Sequence, residues 1–201
     1  STRMTVIRLQ NGGLWVHSPT KPNDNLLFEI KKLGEVKHLI APNVLHYSYI
    51  GEWHQLFPEA KVWLASGVQK RARKSGMSLD YGQELSKANW NEEILFTTFE
   101  GSFYVKEVVF FHTESSTLIL TDLIENIETE NLSIFEKLLL KIGDNHYPNG
   151  KTPRDLRMTF LFGKKHKIKK WEPKNIIISH GPCIVGQAKE MLNQAFSWLE
   201  K

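Results

Sequence analysis

The chain has 201 residues, with 26 Lys or Arg against 22 Asp or Glu and a net charge of +4. That length predicts one domain over residues 1–201, with room for a layered core. No apolar run reaches the length of a membrane helix, no basic-then-apolar leader opens the chain, and the charge excess sits largely in one run, Lys164–Lys174. This argues against a membrane partner and against the general basicity of a nucleic-acid-binding domain. Cys183 is the single cysteine, so an internal disulfide and a thiolate metal cluster are excluded, and a reducing, cytoplasmic setting is expected.

In chain order, Met4–Leu9 alternates, meets the turn Asn11-Gly12-Gly13 and returns as a strand over Leu14–His17. Asn23 or Asp24 caps a helix over Asn25–Leu33, whose Leu26, Leu27, Ile30 and Leu33 share a face, and Gly34 stops it. Val36–Ile40 is a strand broken by Ala41-Pro42-Asn43. The segment Val44–Phe57 reads as a loop running into a helix, with Trp53, Leu56 and Phe57 facing inward. Lys61–Ala65 is a further strand, so the first third reads β-β-α-β-α-β, the alternation of an α/β protein. Gly67–Leu85 is a polar surface helix and loop, and Ile94–Phe99 is a strand. Leu132–Ile142 is a strongly apolar helix. Thr152-Pro153 opens another, with Pro at its first position, running to Gly163. Asn175–Ser179 is a last buried strand, followed at once by His180-Gly181-Pro182, and Val185–Leu199 is an amphipathic helix.

The stretch Glu107–Asp122 stands apart. Val108–Phe111 and Leu118–Leu120 are continuous apolar runs, which read as strands buried on both faces, joined by the turn His112–Ser116. A carboxylate at the mouth of such a strand is costly without a cation, a metal or several donors. Asp122 is therefore either a cap on the next loop or the floor of a site. In α/β sheets the loops after strand ends build the site, and three strands here end in polar residues, Asn43, Asp122 and His180.

Three features in order, Leu39–Gly51, Thr117–Asp122 and Ile176–Gly181, resemble the metallo-β-lactamase superfamily. Gly13–Pro19, Ala41–Trp53 and Glu107–Leu123 look like an uncharacterised branch of it, whose members are described as metal-dependent hydrolases. The resemblance covers essentially the whole chain. It implies an α/β fold of four layers, an αβ/βα sandwich of two mixed sheets flanked by helices. In that superfamily an H-x-H-x-D-H-x-G loop opens a helix, a later strand ends in a metal-bridging Asp, and a late strand ends in a metal-binding His before Gly. Aligning Ile50-Gly51 with the end of the loop motif places Val44, His46, Ser48 and Tyr49 at its ligand positions, and of these only His46 is a ligand type. Asp122 matches the bridging Asp, with Thr121 where Gly is usual, and His180-Gly181 matches the last pair. The motif's own Asp is missing and the intermediate His is not recovered, so the standard dinuclear centre is not expected.

The resemblance thus implies a reduced site of His46, Asp122 and His180, with His46 and Asp122 in the chemistry and His17, Asn43, His112 and Tyr49 around it. Two His and one carboxylate suffice for one divalent metal, zinc first, with iron or manganese as alternatives. The competing expectation is a hydrogen-bonded pocket without metal, in a non-catalytic binding or scaffold protein that keeps the fold. The expected partner is a small-molecule substrate of unknown class. The run Lys164–Lys170 beside Trp171 offers a phosphate-binding and base-stacking surface in principle, against which stands its reading as a solvated connection. His38, His146 and His166 carry no signal.

Overall fold

The computed structural model describes residues 2–104, 106–130, 132–148, 150–160 and 171–199. The basic run Lys164–Lys170 and the segment Leu161–Gly163 lie outside the described residues. The chain divides into two compact units, Thr2–Asn89 and Trp90–Lys201. Each carries one mixed sheet with flanking helices, which is the α/β class that the alternation predicts.

In the first unit, β1 (Thr5–Arg8) and β2 (Leu14–His17) form an antiparallel hairpin, and β2, β3 (Val36–Ala41), β4 (Lys61–Leu64) and β5 (Gln83–Glu84) follow in parallel. The helices α1 (Asp24–Leu33), α2 (Ile50–Leu56) and α3 (Val68–Lys74) make the crossovers. Asn23 caps α1 by accepting from the Leu26 amide, and Gly34 ends it at φ 153°. Leu14, Trp15, Val16, Leu39, Ile40 and Trp53 form the buried core. Leu33, on the apolar face of α1 in the sequence pattern, and Leu56, expected to face inward, are the last residues of their helices and are exposed. The two-residue edge strand β5 is too short to leave a pattern in the sequence. His38 accepts from the Trp63 indole at 3.0 Å, and burial, with Lys61 and Lys37 nearby, holds its imidazole down at about 4.

In the second unit, β6 (Ile94–Phe99), β7 (Glu107–His112), β8 (Thr117–Ile119), β9 (Asn175–Ile177) and β10 (Ile184–Val185) lie side by side in that order. Among the described strands of this sheet only the β8–β9 pair is parallel. Val109, Leu118, Leu120, Ile176 and Ile178 pack with Leu192 of the C-terminal helix α6 (Ala188–Ala195) and with Phe196, its cap residue. That helix starts later than its expected beginning at Val185, because Ile184–Val185 pairs with β9 and Gly186 then turns at φ 74°. The helix opened by Pro153 is short, α5 (Arg154–Met158), and Pro153 is its cap rather than its first residue. The apolar helix α4 (Ile134–Gly143) has no buried residue. Trp171 stacks on Phe111 with ring centroids 5.6 Å apart, so this face of the indole packs on the protein rather than standing open for a base. Among the described residues no helix is long and apolar enough to cross a membrane.

Candidate active site

In the second unit the sheet itself brings Asp122 to His180. β8 and β9 run parallel with Ile119 beside Ile177, and the Leu120 amide still donates to the Ile177 carbonyl at 2.9 Å. Asp122 and His180 each lie three positions past that pair, so the register carries them on as neighbours. Nε2 of His180 stands 3.3 Å from Oδ1 of Asp122, whose residue is only 6% exposed.

The same row extends to β7. The antiparallel register pairs Phe110 with Ile119, which puts Glu107 opposite Asp122. The Glu107 carboxylate, 1% exposed, accepts from the backbone amides of Thr121 at 2.6 Å and Asp122 at 2.9 Å. Past the end of the ladder those amides need an acceptor, and a glutamate provides two oxygens. Burial first, and the nearby Asp122 second, push the Glu107 carboxyl up to about 7. In the sequence Glu107 stands next to the apolar run Val108–Phe111 and reads as its boundary. A hairpin register counted back from the turn would have set it against Asp122.

His180 is fixed by its backbone. Its carbonyl accepts from the Asn126 amide at 2.9 Å. The next residue, Gly181, has φ 102°, and a Cβ there would lie 1.9 Å from the Asn126 carbonyl oxygen. Only glycine fits, which gives the His-Gly pair a local steric reason. Glu125, also unforeseen, accepts from the Asn145 side chain at 2.7 Å. Burial raises its carboxyl, with Asn145 and the charge of His180 pulling the other way.

In the first unit, His46 sits on the loop between β3 and α2. The fully buried Asn43 shapes this loop, its Oδ1 accepting from the amides of Leu45 at 2.8 Å and His46 at 2.9 Å. Nδ1 of His46 lies 2.7 Å from Oγ of Ser18, the residue after β2. His17 is buried and stacks on Trp15 at 5.5 Å. Tyr49 is the cap residue of α2 and makes no side-chain capping bond. Thus Ser18, Asn43 and His46 form one cluster in this unit, and Glu107, Asp122 and His180 form a row in the other. His112 is not brought to Asp122. It pairs with Thr117 at the turn end of the β7–β8 hairpin, opposite the Glu107 end, and its Nδ1 bonds Ser115 Oγ at 2.8 Å.

This architecture is that of the metallo-β-lactamases. The chain is similar to the DIM-1 metallo-β-lactamase, with a TM-score of 0.64 and 12% identity over 98% of this chain and 87% of that one. It is similar to FIM-1 from Pseudomonas aeruginosa in its mono-zinc form, with a TM-score of 0.52 and 11% identity over 98% of this chain and 90% of that one. A third likeness is to the chemotaxis sensor ODP in a peroxy diiron species, with a TM-score of 0.54 and 13% identity over 94% of this chain and 86% of that one. The chain belongs to the family described as Domain of unknown function (DUF4336), whose pattern matches residues 1–155. No curated protein matches the sequence.

Proposed function

We propose that the chain is a metal-dependent hydrolase with a reduced centre for one divalent ion, held by His46, Asp122 and His180. The observation that carries this reading is the Asp122–His180 pair, a carboxylate oxygen and an imidazole nitrogen turned to one point at 3.3 Å. Both backbones are tied down, Asp122 by Glu107 and His180 by Asn126. Such preorganised donors fit a metal.

His46 comes from the first unit and is assigned to the same centre as third ligand. Its Nδ1 lies 2.7 Å from the Ser18 hydroxyl. A hydrogen bond on the outer nitrogen is what usually fixes a ligating ring. Two His and one carboxylate suit zinc, and also iron or manganese. The ion would supply Lewis acidity and a water of lowered pKa. Asp122 brings the negative charge of the set, and His46 and His180 enter as neutral imidazoles. Asn43 shapes the His46 loop, and Tyr49 is proposed to line the approach for a small-molecule substrate. The mono-zinc and diiron states of the similar structures support a site that works with zinc or iron.

The same pair also allows a second reading. Asp122 and His180 also satisfy each other directly, as they would in a metal-free binding or scaffold protein. Metal analysis of protein purified without chelators separates the two. About one zinc, iron or manganese per chain is expected, lost in Asp122→Asn and weakened about tenfold or more in Ser18→Ala. No stoichiometric metal, and no rise in melting temperature when metal is added, would sink the hydrolase reading.

A further inference from the structure

Glu125 is a carboxylate that the proposed centre leaves unused. It stands three residues past Asp122 and is half-buried. The amide of the next residue, Asn126, donates to the His180 carbonyl at 2.9 Å, which lays this loop against that of His180. After burial and the Asn145 bond, the charges of His180 and Asp122 bear most on its carboxyl. No Lys or Arg pairs with it among the described residues. The backbones of Glu125 and Lys151 bond each other twice, at 3.0 and 3.1 Å. Yet the Lys151 ammonium turns to Asp144 at 3.2 Å, where Arg157 joins it at 3.1 Å.

Asn145 prepares this carboxylate. It is 7% exposed and gives its Nδ2 to Oε2 of Glu125 at 2.7 Å. Its own Oδ1 is left fully buried and, among the described residues, without a partner. A bare buried acceptor is costly, so the amide is turned for the sake of Glu125, since an anion can face only its donor end. One oxygen of Glu125 is thereby tied. The other, Oε1, has no hydrogen-bond partner among the described residues and is not sealed from solvent.

A half-buried anion without a counter-charge calls for one. One open oxygen is too few to hold a second metal ion, which takes about three or four protein ligands. A guanidinium would grip both oxygens as a fork, and one is taken. A primary ammonium is a compact charge with N–H donors and needs only one oxygen. We propose that Glu125, oriented by Asn145, binds a primary ammonium group and so selects amine-bearing substrates at the centre. The substrate part of this rests on the hydrolase reading above.

The test is an NMR titration of the full-length, nitrogen-15-labelled chain with butylammonium chloride at about pH 8, followed through the Asn145 side-chain amide. A saturable shift is expected, and at least a tenfold weaker one with tetramethylammonium chloride, which has the charge without the N–H donors. Glu125→Gln keeps an oxygen for Asn145 and should weaken butylammonium binding at least tenfold. Glu125→Asp, which keeps the charge, should bind more tightly than Glu125→Gln. Glu114→Gln, on the exposed turn of the β7–β8 hairpin, should change nothing. No saturable shift up to about 100 mM amine, or equal binding by wild type and Glu125→Gln, overturns the proposal. So does a bound metal that is lost in Glu125→Gln, which would make Glu125 a metal ligand. Amine binding through Glu125 in a chain that holds no metal supports the ammonium site and removes the hydrolase reading alone.

Discussion

Asp122 and His180 stand 3.3 Å apart because two parallel strands hold Ile119 beside Ile177, three positions earlier. The contact is a product of register. It should therefore survive changes that leave the strands alone and fail when the count is broken. Inserting one residue between Ile119 and Asp122 turns the carboxylate to the other face of the sheet. The expected outcome is a folded protein with no metal, read by elemental analysis alongside circular dichroism. Asp122→Asn, which keeps the shape, should lose the metal and with it the rise in melting temperature that added metal gives.

Glu107 makes a different prediction. Its carboxylate is the acceptor for two buried amides, so Glu107→Ala strands the Thr121 and Asp122 donors. A loss of about 2–6 kcal/mol in denaturant unfolding is expected, at 1–3 per orphaned donor. The pH dependence has a definite sign. The folded carboxyl is raised from 4.5 to about 7, so the folded state holds the proton longer. This contribution is complete below pH 4.5 and is lost as pH rises to 7. Glu107→Gln should remove that decline.

His38 works in the opposite direction over an overlapping range. Its folded value of about 4 lies below the usual 6.5, so unfolding takes up a proton between them. Stability from this group is complete above pH 6.5 and falls as pH drops toward 4. Between pH 4.5 and 6.5 the two groups oppose each other, so each masks part of the other's slope. His38→Gln should expose the Glu107 slope, and Glu107→Gln the His38 slope. Urea unfolding at several pH values measures both.

Gly181 and Gly186 give a matched pair. Both have positive φ, but a Cβ at Gly186 meets nothing within 4 Å, whereas at Gly181 it strikes the Asn126 carbonyl. Gly186→Ala should cost about 1 kcal/mol for the backbone alone. Gly181→Ala should cost about 3 kcal/mol or more and shift the His180 ring signals in an NMR spectrum. Equal costs at the two positions would refute the steric account of the His-Gly pair.

Much of this was legible in the sequence because long apolar runs announce buried strands and their polar ends announce loops. Asp122 and His180 came from that signal together with the family resemblance. Glu107 and Glu125 did not, since a charged residue next to an apolar run looks like its boundary until a register says what it faces. The stripe on α4 was also plain, but periodicity reports that a helix has two faces and is silent on what covers the apolar one. The short edge strands β5 and β10 leave no period to detect, and they owe their place to the strand beside them.

The β8–β9 pairing has a consequence for how this family can vary. Everything between the two strands, α4 and α5 included, is one long crossover connection whose ends are pinned by the ladder. Lengthening a long connection costs little, about 0.6 kcal/mol for each doubling. Evolution can therefore add, trim or redecorate this excursion, and with it the exposed face of α4, while Asp122 and His180 keep their spacing.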